Sequence, residues 1–231
     1  MRLHLLFAAL CALPVPLAAQ LIGLPPKPAL SPEGFELILE FETGGRSGYN
    51  PRPEWPGFAS GVTIGVGYDC GYNAAPVIRS DWRKLEAAPR LAATSGITGR
   101  PARSKAAALR DVLVRWELAG DVFNEVTVAR FHALTSRTFP GVEQLHPNAQ
   151  AALVSLVFNR GNSLVGERRS EMRAIRAAVA RADYHEISRQ LRAMVRLWRG
   201  TDIERGMSRR RNAEAALVET ALKPKREPTG R

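Results

Sequence analysis

The spacing of apolar side chains predicts a chain that is helical over most of its length. Apolar positions recur every three or four residues in most segments after residue 30, which is the period of an amphipathic helix. A first helix is predicted at 31–43, and later helices are predicted near 80–90, 104–118, 125–136, 147–159, 169–181, 183–198 and 206–222. Helices are therefore expected to dominate the structure.

One segment, 61–72, has a different period. Apolar residues at 62, 64 and 66 alternate with Thr63 and two glycines, and such alternation predicts a β-strand. The glycines, at positions 65 and 67, weaken a strand, so another part of the molecule is expected to approach the backbone closely there. Together the two periods predict an α+β fold, with a small β element after the first helix and a mainly helical lobe after that.

The first helix has well-marked ends in the sequence. Ser31 suits the N-cap, Pro32 suits the first helical position, and Glu33 complements the positive end of the helix dipole. Gly44 and Gly45 are predicted to end the helix. These signals fix the helical phase of the side chains between them.

The same helix carries four acidic residues, and helical geometry separates one from the rest. At about 100° per residue, Glu42 falls on the face that holds the apolar residues at 35, 38 and 39. Partial burial and the negative end of the helix dipole both raise the pKa of a carboxyl group, as a general acid near neutral pH requires. Glu42 is therefore a candidate general acid, unless the helix frays before it and leaves it in water. The other three acids share the solvent face: Glu33, Glu36 and Glu40.

A second carboxylate follows the glycine-rich segment. Asp69 lies close in sequence to Thr63, whose side chain is predicted to point away from the apolar residues at 62 and 64. A threonine hydroxyl and a carboxylate can together hold and deprotonate a water molecule. The alternative is that Asp69 caps the end of the strand and Thr63 is an ordinary β-forming residue.

The N-terminal segment is typical of a secretory signal peptide. It combines one basic residue, Arg2, with an apolar run at 5–13 and small residues at 18 and 19. That run is shorter than the roughly 20 residues that span a bilayer, and an uncleaved membrane anchor is the alternative. The predicted organisation is a signal peptide at 1–19, a linker at 20–30, one globular domain at 31–222 and a disordered basic tail at 223–231.

Charge limits the class of partner. The chain has 33 basic and 22 acidic residues, and removing the signal peptide with its one arginine leaves 32 − 22 = +10. A basic exported protein is attracted to an anionic cell wall or to anionic lipid, whereas export argues against nucleic acid. After signal cleavage no remaining segment predicts stable membrane insertion.

The cysteines and histidines predict no further chemistry. Cys70 would be the single thiol of the mature chain, so it has no disulfide partner, and the neighbouring Asp69 disfavours its reactive thiolate form. The four histidines are scattered and suggest no metal site, and no organic cofactor is predicted; they are His4, His132, His146 and His185.

Four segments together resemble the phage-type lysozymes of glycoside hydrolase family 24. ILEFETGG at 38–45 is similar to the end of the family's first helix, and GVTIGVGYD at 61–69 is similar to its glycine-rich strand. AALVSLVFNRG at 151–161 and GMSRRRNAEAALVE at 206–219 resemble two later helices of the family. The resemblance covers residues 31–222 and implies a lysozyme-like catalytic domain.

The resemblance assigns roles to three residues. It places the family's catalytic glutamate on Glu42 and its water-holding threonine on Thr63. Common members carry an aspartate in a shorter loop between these two, whereas the loop here, GGRSGYNPRPEWPGFASG, contains none. This departure, with Asp69 where many members have histidine, points to the pesticin-like branch and moves the aspartate's role to Asp69, with Glu54 as the fallback.

The resemblance implies hydrolysis of the β-1,4 bond between N-acetylmuramic acid and N-acetylglucosamine in peptidoglycan glycan strands. Glu42 would protonate the glycosidic oxygen, while Asp69 and Thr63 would hold the attacking water on the opposite face, which gives inversion. The enzyme is expected to be a monomer in the periplasm or outside the cell. Two alternatives are a non-catalytic, cationic wall-binding protein with a degenerate site and a lytic transglycosylase.

Three further residues are candidates for substrate binding. Asn159 lies at the end of an apolar helix, where it would bind an N-acetyl group or cap the helix. Tyr68 would stack on a sugar or belong to the core. Arg210 is one of three consecutive arginines, at least two of which are predicted to lie on a solvated basic face.

Overall fold

A computed structural model describes residues 30–222 of the chain. The predicted signal peptide, nearly all of the predicted linker and the predicted basic tail lie outside the described residues. The described part is mainly helical with one small antiparallel sheet, which confirms the predicted α+β class. Its helices are α1 Pro32–Thr43, α2 Ala75–Asp81, α3 Ala88–Ala92, α4 Arg100–Ala107, α5 Trp116–Val122, α6 Ala129–Thr138, α7 Pro147–Arg160, α8 Ser170–Val179, α9 Tyr184–Ala193 and α10 Glu204–Glu219.

The described residues divide into two compact units, and the single domain predicted at 31–222 stays a prediction. The first unit comprises residues 30–38 and 131–222, and the second comprises residues 39–130. The helix α1 contributes residues to both units, and so does α6. Within residues 30–222 no helix is both long and apolar enough to cross a membrane.

The first unit is built around α7. Every residue of this helix from Asn148 to Phe158 is buried, because it is surrounded by other elements rather than lying on the surface. Its apolar side chains share one core with α8, α9 and α10, through residues such as Leu153, Ile175 and Leu191. A helix that is apolar on all sides is typical of a central, buried position.

Two of the predicted helices have the wrong boundaries, and prolines explain why. The segment predicted at 80–90 contains the end of α2, a turn and the start of α3, and the segment predicted at 104–118 contains the end of α4 and the start of α5. Pro76, Pro89 and Pro101 each occupy the first turn of a helix, where proline's fixed φ and missing N–H are tolerated. These prolines therefore mark the true helix starts.

Between α4 and α5 the chain forms a turn at 108–111 and then a non-helical segment at 112–115, which the helical prediction missed. The N–H of Val114 donates to the carbonyl of Pro51 at 2.8 Å, so this segment lies beside the loop that follows α1. The predicted helix at 125–136 begins as a π-helix, Phe123–Val128, and the predicted helix at 183–198 ends as a 3₁₀ helix, Met194–Trp198.

The glycine-rich segment forms a tight hairpin instead of one continuous strand. The strands are β1, Thr63–Ile64, and β2, Tyr68–Asp69. The chain reverses between them because Gly65 and Gly67 take positive φ angles of 59° and 67°. The predicted close approach is confirmed at Gly65, where an added Cβ would lie 2.7 Å from the ring of Trp82.

Candidate active site

Glu42 is the one buried acid of α1. Its exposed fraction is 9%, whereas the three acids on the opposite face are exposed: Glu33, Glu36 and Glu40. The helix continues through Thr43, so Glu42 lies in its last turn and fraying does not release it into solvent. The predicted separation of the four acids by helical phase is therefore confirmed.

The second unit places two further carboxylates on either side of Thr63. Thr63 is paired with Asp69 in the hairpin and with Glu54 through an isolated antiparallel bridge. The bridge is held by two main-chain bonds, from Glu54 N to Thr63 O at 2.9 Å and from Thr63 N to Glu54 O at 2.8 Å. Directly paired residues of antiparallel strands project to the same face. Glu54, Thr63 and Asp69 therefore form one row of side chains, here called the sheet row.

The carboxylate of Asp69 is engaged by main-chain N–H groups. Gly61 N donates to both oxygens, at 3.1 Å to Oδ1 and 2.9 Å to Oδ2, and Gly71 N donates to Oδ1 at 2.8 Å. The contact with Gly71 caps a short 3₁₀ helix, Cys70–Tyr72. Burial raises the pKa of Asp69, while these hydrogen bonds oppose that shift because they favour the ionised form. The capping role considered from the sequence is thus present.

The other two members of the sheet row, Glu54 and Thr63, have polar side-chain atoms that lack a hydrogen-bond partner within the described residues. The carboxylate of Glu54 is exposed and accepts one hydrogen bond, from Asn50 Nδ2 to Oε2 at 2.8 Å. Thr63 is 8% exposed, and within residues 30–222 its hydroxyl has no hydrogen-bond partner. These atoms are available to a water molecule or a ligand.

The structure places Tyr68 in the core, which is the alternative to sugar stacking. Its exposed fraction is 5%, its ring packs edge-on against Trp82 at a centroid distance of 5.5 Å, and its hydroxyl donates to Asp81 Oδ2 at 2.6 Å. Asp81 also accepts from Arg130 Nη2 at 2.5 Å. Burial and the neighbouring carboxylate raise the pKa of the Tyr68 hydroxyl, so it stays protonated. Stacking on a sugar would require this ring to leave its packed position.

A second buried polar cluster lies between α7 and α10 of the first unit, and it corrects the prediction for the arginines. Arg210 and Arg211 are 5% and 0% exposed, so the prediction that at least two of the three arginines are solvated is wrong. Both donate to Glu214 Oε1, at 3.2 Å and 2.8 Å. Arg210 also donates to Ser155, through the carbonyl and the hydroxyl oxygen, at 3.0 Å each. This cluster fastens α10 to α7.

Asn159 belongs to the same cluster. Its Oδ1 accepts from Arg211 Nη2 at 3.3 Å, and the cap of α7 is instead made by Gly161, whose N–H donates to Val157 O at 2.8 Å. Arg210 and Asn159 therefore have structural partners, and their predicted substrate contacts stay predictions.

The sequence profile described as "Phage lysozyme" matches residues 59–214, which is more than half of the chain. The chain belongs to the phage lysozyme family. No curated protein sequence matches it.

One solved structure shows the lysozyme-like fold directly. The crystal structure of the active form of P1 phage endolysin Lyz is 20% identical to this chain, with a TM-score of 0.52, and the match covers 85% of this chain and 88% of that one. At this level of identity the likeness concerns the fold. The predicted lysozyme-like class is confirmed, and the narrower pesticin-like branch stays a prediction.

The family match covers only part of the candidate site. It contains Thr63 and Asp69, but it begins after Glu42 and Glu54. The assignment of Glu42 therefore depends on its burial and its place in α1. Within residues 30–222 no group of three or more His, Cys, Asp or Glu is arranged to hold a metal ion.

Sequence reasoning missed the residues that support the sheet. Asn73 Nδ2 donates to the carbonyl of Asp69 at 2.7 Å, and Asn73 Oδ1 accepts from Arg130 at 3.3 Å. Arg130 lies 57 residues from Asn73, so no local pattern reveals this contact. Cys70 is buried, and burial raises the pKa of its thiol to about 12, which agrees with the expectation of an unreactive thiol.

Proposed function

We propose that this chain is an exported muramidase that hydrolyses the β-1,4 bond between N-acetylmuramic acid and N-acetylglucosamine in peptidoglycan. The observation that carries the proposal is the burial of Glu42, alone among the acids of α1, in a chain of the phage lysozyme family. A carboxyl group withdrawn from water favours its protonated form, which a general acid requires.

In the proposed reaction Glu42 gives its proton to the glycosidic oxygen as the bond to the anomeric carbon breaks. Water attacks the anomeric carbon from the opposite face, held by the Thr63 hydroxyl and a carboxylate of the sheet row, and the anomeric configuration inverts. An inverting pair of carboxyl groups is typically about 6.5–9.5 Å apart, which leaves room for that water. The sequence favours Asp69 as the second carboxylate, and no metal or organic cofactor takes part in these steps.

Export and charge support the same substrate. The segment at 1–19 has the composition of a signal peptide, which supports the proposal that the mature protein acts in the periplasm or outside the cell, where peptidoglycan lies. The mature charge of 32 − 22 = +10 attracts the protein to an anionic wall, and this attraction weakens as salt increases. The protein is proposed to act as a monomer on glycan strands.

Release of reducing ends from purified peptidoglycan tests the proposal. The wild-type protein should clear the suspension and Glu42→Gln should abolish clearing, because an amide N–H is far too weak an acid to protonate the leaving oxygen. Glu40→Gln is the matched control, since Glu40 lies two residues away on the exposed face of α1 and should keep wild-type activity. Binding of the wild-type protein to wall sacculi without release of any product would instead support the non-catalytic wall-binding protein.

A further inference from the structure

The sheet row offers two candidates for the second carboxylate, and their surroundings differ. Glu54 and Asp69 flank Thr63 as its directly paired neighbours, so all three side chains project to one face. Side chains of directly paired residues have Cβ atoms about 4.5–5.5 Å apart. Either carboxylate therefore starts close enough to share a water molecule with the Thr63 hydroxyl, and the contacts of each decide between them.

The carboxylate of Asp69 is occupied by hydrogen bonds from main-chain N–H groups. Both of its oxygens accept from Gly61, and Oδ1 also accepts from Gly71, so three of about four acceptor positions of the carboxylate are taken. The fit is tight, because a Cβ added to Gly61 would lie 2.3 Å from Oδ1. These contacts join residues on both sides of the hairpin. These contacts indicate that the Asp69 carboxylate stabilises the strand that carries Thr63.

Of the two oxygens of the Glu54 carboxylate, one is hydrogen-bonded within the described residues and the other is not. Asn50 Nδ2 donates to Oε2 at 2.8 Å, and within residues 30–222 Oε1 has no hydrogen-bond donor. The orientation of the Asn50 amide is set in turn, since its Oδ1 accepts from Arg52 N at 3.0 Å. The main-chain bridge to Thr63 fixes where the side chain of Glu54 begins. One oxygen is therefore oriented by the protein while the other remains accessible to water.

We infer that Glu54, and not Asp69, is the carboxylate that activates the attacking water. The inference rests on the proposed muramidase function and replaces Asp69 in it. Glu54 accepts one proton of the water as the water oxygen bonds to the anomeric carbon. The bond from that carbon to the leaving oxygen breaks, and this oxygen takes the proton of Glu42. Asp69 holds the strand and touches no reacting atom.

Paired substitutions separate the two carboxylates. Glu54→Gln should lower kcat by about 10²–10⁴-fold, the usual contribution of a general base, with KM and the melting temperature unchanged. Asp69→Asn should lower the melting temperature but keep kcat within about tenfold of wild type when assayed well below that temperature. Glu125→Gln, an exposed carboxylate of the same unit, is the control and should match wild type in both measurements. The reverse pattern for Glu54 and Asp69 would overturn the inference.

Rescue of activity by azide separates a general base from a residue that only stabilises the fold. Azide replaces the activated water but does not restore a lost structural contact. In Glu54→Ala, azide can enter the vacated space and needs no deprotonation: its nitrogen bonds to the anomeric carbon while the leaving oxygen departs with the proton of Glu42. Mass spectrometry of the muropeptides should then detect a glycosyl azide for Glu54→Ala and none for Asp69→Ala or Glu42→Gln.

The outcomes distinguish the inference from the function on which it rests. A wild-type protein that releases no muropeptides would overturn the proposed function, and the inference with it. Active wild type, inactive Glu42→Gln and a Glu54→Gln variant within about threefold of wild type would overturn the assignment of Glu54 alone. Rescue of Asp69→Ala by azide would also overturn the assignment of Glu54.

Discussion

Two regions of the molecule each surround a carboxylate with donors, but they use different kinds of donor. In the hairpin of the second unit, Asp69 accepts from main-chain N–H groups of residues two and eight positions away. In the first unit, Glu214 is fully buried and accepts from the side chains of Ser155, Arg210 and Arg211. The carboxylate of Asp69 accepts hydrogen bonds from neutral donors, whereas that of Glu214 balances the positive charge of two buried arginines.

The two regions are therefore expected to tolerate different substitutions. A buried amide N–H that loses its acceptor costs about 1–3 kcal/mol, whereas a buried ion pair that loses one partner costs about 3–5 kcal/mol. Every substitution except proline keeps a main-chain donor. The hairpin is instead sensitive to crowding, because a Cβ added to Gly61 would lie 2.3 Å from Asp69 Oδ1. The α7–α10 cluster is sensitive to any change of charge.

The largest effect is expected from Glu214→Gln. The substitution keeps the shape of the side chain but removes the negative charge beside the guanidinium groups of Arg210 and Arg211, so the free energy of unfolding should fall by about 3–5 kcal/mol. Urea unfolding measures this loss. Glu219→Gln on the same helix is the control: Glu219 pairs with Arg192 at the surface, and its loss should cost less than about 1 kcal/mol. Equal costs for the two variants would contradict the account of the cluster.

A smaller effect is expected from crowding the hairpin with Gly61→Ala. The added Cβ would lie 2.3 Å from Asp69 Oδ1 and 2.5 Å from main-chain atoms of Gly71, so these atoms must shift and the free energy of unfolding should fall by about 1–3 kcal/mol. Gly120→Ala is the matched control, because nothing lies within 4 Å of its added Cβ and alanine favours the helix α5 by about 1 kcal/mol. A Gly61→Ala variant as stable as wild type would show that Asp69 is not tightly held.

These two regions also show what the sequence could predict. The burial of Glu42 followed from helical phase because α1 is a regular helix with marked ends. Thr63 and Asp69 are six positions apart, so their closeness in the chain singled them out, but the predicted continuous strand did not contain the hairpin that pairs them. Ser155 and Arg210 are 55 residues apart, and a run of three arginines has the composition of a solvated surface. The burial of that run depends on a long-range contact that no local pattern contains.

The smallest effect is expected on the melting temperature at low pH, and one substitution in each unit should change it to a similar extent. A hydrogen-bonded arginine lowers the pKa of Asp111 to about 2 in the second unit and of Glu186 to about 2 in the first. A lowered folded-state pKa stabilises the fold above the unfolded-state value of about 4 and loses that contribution as pH falls toward about 2. Asp111→Asn and Glu186→Gln should therefore each reduce the fall in melting temperature between pH 7 and pH 2.5. Variants that keep the full wild-type fall would contradict this explanation.

Glu42 is proposed to donate the proton that releases the glycan leaving group. Mass spectrometry of the products released from peptidoglycan by wild type and by Glu42→Gln tests it most directly. We expect hydrated muropeptides with N-acetylmuramic acid at the reducing end from wild type and no release from Glu42→Gln. Full activity in Glu42→Gln would contradict the assignment, and anhydro products from wild type would show a lytic transglycosylase in place of a hydrolase.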